Sequence, residues 1–300
     1  MLTTKSKIIL FFALLFTQVF MAQNQPRKVT KQYIRIKNYR TIYSMKTVNL
    51  DSVEHKFYQG DTLILYNPKP DPNKVLVPFD FRDSTFLDYY VPIAFRASGE
   101  KDSLNNSMKY WHEDIKVYFS TNIHKKVQKE FSQFTQFIST NVDSLDIRVV
   151  KKLEESNFIV YTSDDYNYES KLADNSNSDY YIYWNAQNQI HKGAIKLHSE
   201  DAFNNNLKIA QLKVLFLQTL GHFKLDKRLN CKHYFSNCYD PNKEFTQLDL
   251  ELLQYHYSYG ICKGITLKSF RSFHSESNRI RKQGDQILIT HLKSNLRKKN

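Results

Sequence analysis

Three thiols lie close together near the C-terminal end of the sequence. Cys231, Cys238 and Cys262 fall within one 32-residue stretch, and thiols either oxidise to disulfides or bind metal ions as thiolates. With His233 they form a set of zinc-ligand residue types, but their spacing matches no common structural zinc pattern. We therefore expect one disulfide, between Cys231 and Cys238, which closes a short loop. Pairing of Cys238 with Cys262 is the alternative.

Two histidines and one carboxylate are the other candidate groups for chemistry. Neither His198 nor His222 is spaced as a ligand pair with a residue of the apolar run 207–220, and part-buried histidines are more often packing groups than ligands. Asp249 follows Thr246 at the spacing of a capping box, so a helix cap competes with a catalytic role. We find no Gly-x-Ser-x-Gly, no glycine-rich phosphate loop and no Cys–His signature in the sequence.

The N-terminal part of the chain carries the signals of β structure. Apolar runs at residues 62–66, 75–81 and 89–95 are separated by proline-rich or charged turns, which predicts strands. The polar stretch 98–107 then predicts a linker. We therefore expect a β-rich region at residues 23–106.

Residues 107–266 alternate between strand and helix patterns. The run 207–220 is apolar on nearly every face, which predicts a helix buried in the centre of a domain. The other expected elements are strands at 115–119, 147–150, 158–161, 180–184 and 194–197, and helices at 124–140 and from 246. The sequence thus predicts an α+β fold in which a central buried helix packs under a small mixed sheet.

Residues 214–221 resemble the active-site helix of zincin-type metallopeptidases. More broadly, residues 111–266 resemble an exported bacterial zincin-like domain family of unknown function. The resemblance is carried, in order, by Trp111 before the strand 115–119, Leu217-Gln218-Thr219-Leu220-Gly221, Phe245-Thr246-Gln247-Leu248-Asp249 leading into Leu252-Leu253, and Lys263-Gly264-Ile265. It implies a zincin-like, metzincin-like fold for residues 107–266.

The chemical positions of the zincin motif are replaced in this chain. A zincin binds one Zn²⁺ with two histidines at i and i+4, while the intervening glutamate takes a proton from the metal-bound water. Here the two histidine positions are Val214 and Gln218, and the glutamate position is Leu215. Gly221 stands at the turn glycine of metzincins, but the third-ligand position is Lys224, whose ammonium repels a metal. The resemblance therefore implies a degenerate site, without zinc and without catalysis.

The N-terminus has the pattern of a cleavable secretory signal peptide. Lys5 and Lys7 precede an apolar run at residues 8–20, which is shorter than the ~20 residues that a bilayer-spanning helix needs. The small residue Ala22 then precedes a polar segment. We expect residues 1–22 to be removed, leaving a soluble protein without a membrane span in the periplasm or outside the cell. An uncleaved membrane anchor is the alternative.

Positive charge is concentrated at the C-terminus. The whole chain has a formal net charge of +13, and residues 263–300 hold ten lysines and arginines against Glu276 and Asp285. We expect residues 267–300 to form a basic tail, which either binds an anionic polymer or surface or is a solvated extension. The stretch has no nucleic-acid motif and no aromatic interleaving, so a nucleic-acid partner is not expected.

Three functions follow from these patterns. The first is a non-catalytic zincin-like binding or structural module with an unknown protein or cell-envelope partner. The second is an unconventional metal-dependent peptidase, and the third is a protein that binds anionic surfaces through the basic tail. General acid–base catalysis needs a titratable group in the site, and the motif helix supplies none, so the first function is preferred. The polar groups available for binding near the helix are Gln218, His222, His198 and Asp249.

Overall fold

The computed structural model describes residues 32–43, 45–58, 60–66, 72–97, 104–200, 203–284, 286–293 and 296. The predicted signal peptide, residues 1–22, and most of the predicted linker lie outside these residues. The chain divides into two compact units, Met1–Asp71 and Pro72–Asn300, so the division falls before the boundary predicted at residue 106. Within the described residues, no helix combines the length and apolar character needed to cross a bilayer.

The first unit contains a small antiparallel sheet. Its elements are β1 (Gln32–Arg35), α1 (Ile36–Ile42), β2 (His55–Tyr58) and β3 (Asp61–Tyr66). The strands pair in the order β1–β3–β2. Strand β3 confirms the strand predicted at residues 62–66.

The second unit mixes helices and strands. Its elements are β4 (Lys74–Pro78), α2 (Ser84–Ala94), β5 (Tyr110–Trp111), β6 (Ile115–Phe119), α3 (Lys125–Asn141), β7 (Ile147–Val149), β8 (Phe158–Thr162), β9 (Asp179–Trp184), β10 (Gln189–Leu197), α4 (Asn205–Thr219), α5 (Gln247–Tyr257), α6 (Leu267–Lys282) and β11 (Leu288–Leu292). The elements predicted between residues 115 and 257 are confirmed in type, with shifts of a few residues at their ends. The predicted α+β class is confirmed as well.

Six strands form the main sheet of this unit. They lie in the order β5–β10–β8–β6–β7, and β9 also pairs with β10. All neighbours are parallel except β9, which runs antiparallel to β10. The sheet is therefore mixed, as the sequence predicted.

Helices α3 and α4 form the core with one face of the sheet. The Phe216 ring of α4 lies 4.8 Å from the Phe131 ring of α3 and 5.3 Å from the Phe158 ring of β8, measured between centroids. Every residue of α4 from Leu207 to Thr219 is at least partly shielded from solvent. Helix α4 therefore packs into the core, with Ile209, Leu212, Phe216, Leu217 and Thr219 buried.

The opposite face of the sheet is covered by the loop that follows β8. Lys196 of β10 is almost fully buried there and donates hydrogen bonds to the carbonyl oxygens of Leu172, Ala173 and Asn175, at 2.8, 3.0 and 2.9 Å. An ammonium has three donors, and all three are used. One lysine therefore fixes three backbone groups of the loop.

The strand predicted at residues 89–95 is wrong, because this segment belongs to helix α2. The Asp83 carboxylate accepts a hydrogen bond from the Phe86 N–H at 2.9 Å and caps the helix N-terminus. Phe86, Tyr90 and Ile93 are buried at helical spacing. A short apolar run is compatible with a strand or with a helix. Here the N-terminal cap and the helical spacing of the buried residues favour the helix.

A proline inside α2 is compensated by a distant arginine. Pro92 has no N–H to donate to the Asp88 carbonyl four residues earlier. The Arg228 guanidinium donates to that carbonyl instead, at 2.6 Å. Helix α2 therefore continues past its proline to Ala94.

Among the residues assigned to the predicted basic tail, 267–292 contain a helix and a strand. Helix α6 is capped by the Thr266 hydroxyl, which accepts from the Ser269 N–H at 3.2 Å. It buries Leu267 and Phe270, while its basic residues point outwards. Strand β11 pairs antiparallel with β4. The net charge of this segment therefore does not indicate the apolar face of α6.

We expect Phe270→Ala to destabilise the second unit by about 3–5 kcal/mol, because it leaves a cavity in the core. The Phe270 ring is 3% exposed and lies 5.9 Å from the Tyr90 ring and 5.1 Å from the Phe95 ring. The matched control on the same helix is the exposed Ser272→Ala, expected to change stability by less than about 0.5 kcal/mol. Chemical denaturation measures both, and equal effects would mean that α6 does not belong to the core.

Candidate functional site

The positions of the zincin motif lie on the C-terminal half of α4. Val214 and Leu215 are partly buried and pack against the core. The Gln218 side chain is partly buried, and no hydrogen-bond partner for it is found among the described residues. The structure thus keeps these three residues on the predicted helix, and the two apolar ones pack against the core.

Val214 lines a cavity of about 320 Å³ beside the disulfide loop. Leu207, Gln211 and Leu225 also border it. The side-chain oxygen of Gln211 is shielded from solvent and has no hydrogen-bond partner within the described part of the chain. The first histidine position of the motif is therefore part of a largely apolar wall.

The C-terminal end of α4 is held by side chains from two other elements. The Trp111 indole N–H donates to the Thr219 carbonyl at 3.0 Å, and the Tyr257 hydroxyl donates to the Leu220 carbonyl. The Phe223 N–H closes the turn by donating to the Gln218 carbonyl at 2.9 Å. Carbonyls at a helix end have no partners within the helix, so these bonds satisfy them.

Gly221 is required at the end of α4 by a close approach. A Cβ atom there would lie 2.4 Å from the Phe223 ring and 2.9 Å from Nε2 of His256. No side chain fits in that space. The chain then continues to Lys224, whose N–H donates to the Ile93 carbonyl at 3.0 Å.

His256, which the sequence patterns did not single out, is fully buried behind Gly221. Its Nε2 lies 2.8 Å from the Lys109 carbonyl oxygen and must donate, so its Nδ1 accepts from the Tyr90 hydroxyl at 3.1 Å. Burial lowers the pKa of His256 to about 3, and the Lys263 charge acts in the same direction. The ring is therefore a neutral bridge between α2, α5 and the segment before β5.

His222 lies on the surface of a second cavity, of about 380 Å³, at the end of α4. We call it the cationic cavity. It is lined by Ala94, Phe95, Arg96, Asn105, Asn106, Ser107, Lys109, Trp184, Gly221 and His222. The imidazole of His222 lies 5.3 Å from the Trp184 ring. Burial, together with the nearby charges of Arg96 and Lys109, lowers the pKa of His222 to about 4.

His198 and His222 are not brought together. His198 follows β10, and its backbone N–H donates to the Ser178 hydroxyl at 2.7 Å. Its Nδ1 is buried and has no hydrogen-bond partner among the residues that the structure describes. The two histidines therefore do not form a joint site with the motif helix.

Asp249 is a structural carboxylate. It is fully buried and forms a capping box with Thr246 at the start of α5. It also accepts from the backbone N–H groups of Tyr234 at 3.1 Å and Phe235 at 3.3 Å. A carboxylate that accepts several N–H groups holds its surroundings in place, so this residue positions the preceding loop.

The predicted disulfide between Cys231 and Cys238 is confirmed, and Cys262 is a partly buried free thiol. Lys243 supports the disulfide loop by donating to the carbonyls of Cys231, His233 and Ser236, at 2.9, 2.7 and 3.2 Å. Within the described ranges, no three His, Cys, Asp or Glu side chains converge as a metal site requires.

We expect acidification to destabilise the protein through its buried histidines. The folded-state pKa of His256 is about 3 and the unfolded value is ~6.5. Between these values the unfolded chain binds a proton that the folded chain does not. The free energy of unfolding therefore falls as the pH falls, with a limiting slope of about 1.4 kcal/mol per pH unit for one group. The pKa values of His222 and His274 are also lowered, so they act in the same direction.

His256→Gln should make the free energy of unfolding depend less steeply on pH between pH 6 and 4. The reason is that glutamine binds no proton when the chain unfolds. The exposed His191→Gln is the matched control and should leave the curve unchanged. Urea denaturation at a series of pH values measures the slope. Parallel curves for His256→Gln and the unsubstituted protein would contradict the assignment.

No protein-family profile and no curated protein matches this chain. The relevant features are helix α4 with Val214 and Leu215 packed against the core, the cationic cavity at the end of that helix, and the loop closed by a disulfide.

Proposed function

We propose that the second unit is a non-catalytic zincin-like module with a binding role. One observation carries the proposal: on helix α4, the first histidine position and the glutamate position of the resembled motif hold apolar side chains that pack. The helix contacts α3, β9 and β10, which agrees with the central helix under a mixed sheet that the resemblance implies. Val214 and Leu215 pack against the core.

The residues at the motif positions do not fit a zinc ion. Val214 and Leu215 have no donor atom, and a neutral amide such as Gln218 is a poor substitute for imidazole. Lys224 adds a positive charge at the third-ligand position. We therefore derive no hydrolytic step for this helix, and an unconventional peptidase is the weaker alternative.

Binding of anionic surfaces through a detached basic tail is likewise less well supported than the non-catalytic module. Residues 267–292 contain α6 and β11, and α6 contributes Leu267 and Phe270 to the core. Deletion of residues 267–300 would remove these groups together with the charge. A test of the tail must therefore neutralise exposed basic residues, not truncate the chain.

We also propose that the protein acts outside the cytoplasm. The Cys231–Cys238 disulfide supports this, because disulfides persist mainly in oxidising compartments. The pattern of residues 1–22 supports it independently.

The mature chain is expected to begin at Gln23. Intact-mass measurement of the protein from the cell envelope or medium, with sequencing of its N-terminal peptide, checks this cleavage. A secreted chain that still begins at Met1 would contradict it.

The purified mature protein is expected to contain zinc far below one ion per chain and to hydrolyse no peptide in a chelator-sensitive way. Elemental analysis and a peptide-library assay measure these two properties. Gln218→Ala is the matched variant. It should change neither property, and it should alter the free energy of unfolding by less than about 1 kcal/mol because no hydrogen bond is lost.

One zinc ion per chain, together with hydrolysis that a chelator abolishes, would refute the non-catalytic proposal. Loss of that zinc in Gln218→Ala would then assign the amide as a ligand. The two readouts are independent of any binding at the cationic cavity.

A further inference from the structure

Two positive side chains border the cationic cavity, and no carboxylate is among its described lining residues. Arg96 follows α2, and Lys109 precedes β5. Within the described residues, these two cations hydrogen-bond only neutral groups: backbone carbonyls, the Asn188 amide and the Tyr180 hydroxyl. Positive groups gathered without a counter-charge attract an anion and are stabilised by one.

We propose that the cationic cavity binds a small ligand through its carboxylate or phosphate group, with a flat part of the ligand against Trp184. This inference rests on the proposed binding role of the second unit and names the class of its ligand. The geometry of three side chains carries it.

Arg96 presents donors that are still available. Its Nη1 donates to the His222 carbonyl at 3.3 Å, and the guanidinium also hydrogen-bonds the Tyr180 side chain; the two contacts hold it at the cavity and leave other N–H groups for a ligand. A guanidinium has five N–H donors in a planar fork that matches carboxylate and phosphate oxygens. Arg96 has φ 52° and His222 has φ 54°, so both residues stand in the left-handed region. Residues other than glycine rarely adopt this backbone conformation. Where they do, they are often found at functional sites.

Lys109 contributes a half-buried ammonium. It donates to the Asn188 side-chain oxygen at 2.7 Å and to the Ser107 carbonyl at 3.3 Å. Two of its three donors are thus used, and the third is available to a ligand. Burial lowers the pKa of Lys109, and a bound anion would oppose that shift.

Trp184 and His222 form a flat wall beside the two cations. The Lys109 ammonium lies 5.1 Å from the centroid of the Trp184 ring, and the His222 ring lies 5.3 Å from it. His222 is neutral near pH 7, because its pKa is about 4. The wall therefore offers stacking area next to the charged groups, which suits an anion attached to a ring.

Benzoate and phenyl phosphate are the probes, and the uncharged benzamide is their control. The mature protein is titrated with each by calorimetry and by tryptophan fluorescence. The chain has two tryptophans. Trp111 is 2% exposed in the core, so Trp184→Phe identifies the signal that comes from the cavity.

We expect at least one of the two anions to bind and benzamide not to bind. Arg96→Gln and Lys109→Gln should each weaken binding by about tenfold or more, because each removes a charge-assisted hydrogen bond. The exposed Lys129→Gln on α3 removes a charge elsewhere and should leave the affinity unchanged. Comparison of the two anions shows whether carboxylate or phosphate is preferred.

The ring of His222 gives a readout that a general loss of stability would not move. Its pKa, followed by NMR, should rise when an anion binds, since the anion offsets the two cations. It should also rise in Arg96→Gln without any ligand.

Three results would overturn the proposal. These are benzamide binding as tightly as the anions, unchanged anion affinity in both glutamine variants, and no binding of either anion. None of them depends on zinc content or hydrolysis, so this inference and the non-catalytic proposal fail separately.

Discussion

The position of the end of the central helix depends on two hydrogen bonds of the Tyr257 hydroxyl. It accepts a hydrogen bond from the Trp111 backbone N–H at 3.2 Å and donates one to the Leu220 carbonyl. One side chain of α5 thereby joins strand β5 to the end of the central helix. A buried backbone group without a partner costs about 1–3 kcal/mol, so this hydroxyl stabilises the helix end by satisfying the Leu220 carbonyl. The turn through Gly221 and His222, and with it the cationic cavity, is positioned by this junction.

Most of the central elements were predictable because their local signals agree with their tertiary environment. Strand β6 alternates between buried and partly buried residues, and helix α4 is apolar on most of its surface. Local sequence patterns did not predict the structure correctly where the same composition fits two kinds of structure. The apolar run at residues 89–95 fits a strand or a helix, and the cap at Asp83 was the overlooked signal. Basic residues hid the helical period of Leu267 and Phe270 in the same way.

The site was less predictable than the fold. The pairing of Cys231 with Cys238 and the cap at Asp249 are local in sequence, so spacing alone indicated them. Arg96 and Lys109 meet His222 from separate elements, and no spacing relates them. Such a cluster exists only after the sheet and helices have packed. The resemblance concerns residues within helix α4, whereas the charged groups gather just beyond its last turn.

Two lysines in this protein do what bound calcium does in other proteins. Calcium orders loops by collecting carbonyl oxygens around one positive centre. Lys196 collects three carbonyls of the loop after β8, and Lys243 collects three of the disulfide loop. These cations are covalently attached to the chain and cannot be diluted or chelated. The positive centre that orders each loop is therefore supplied by the chain itself.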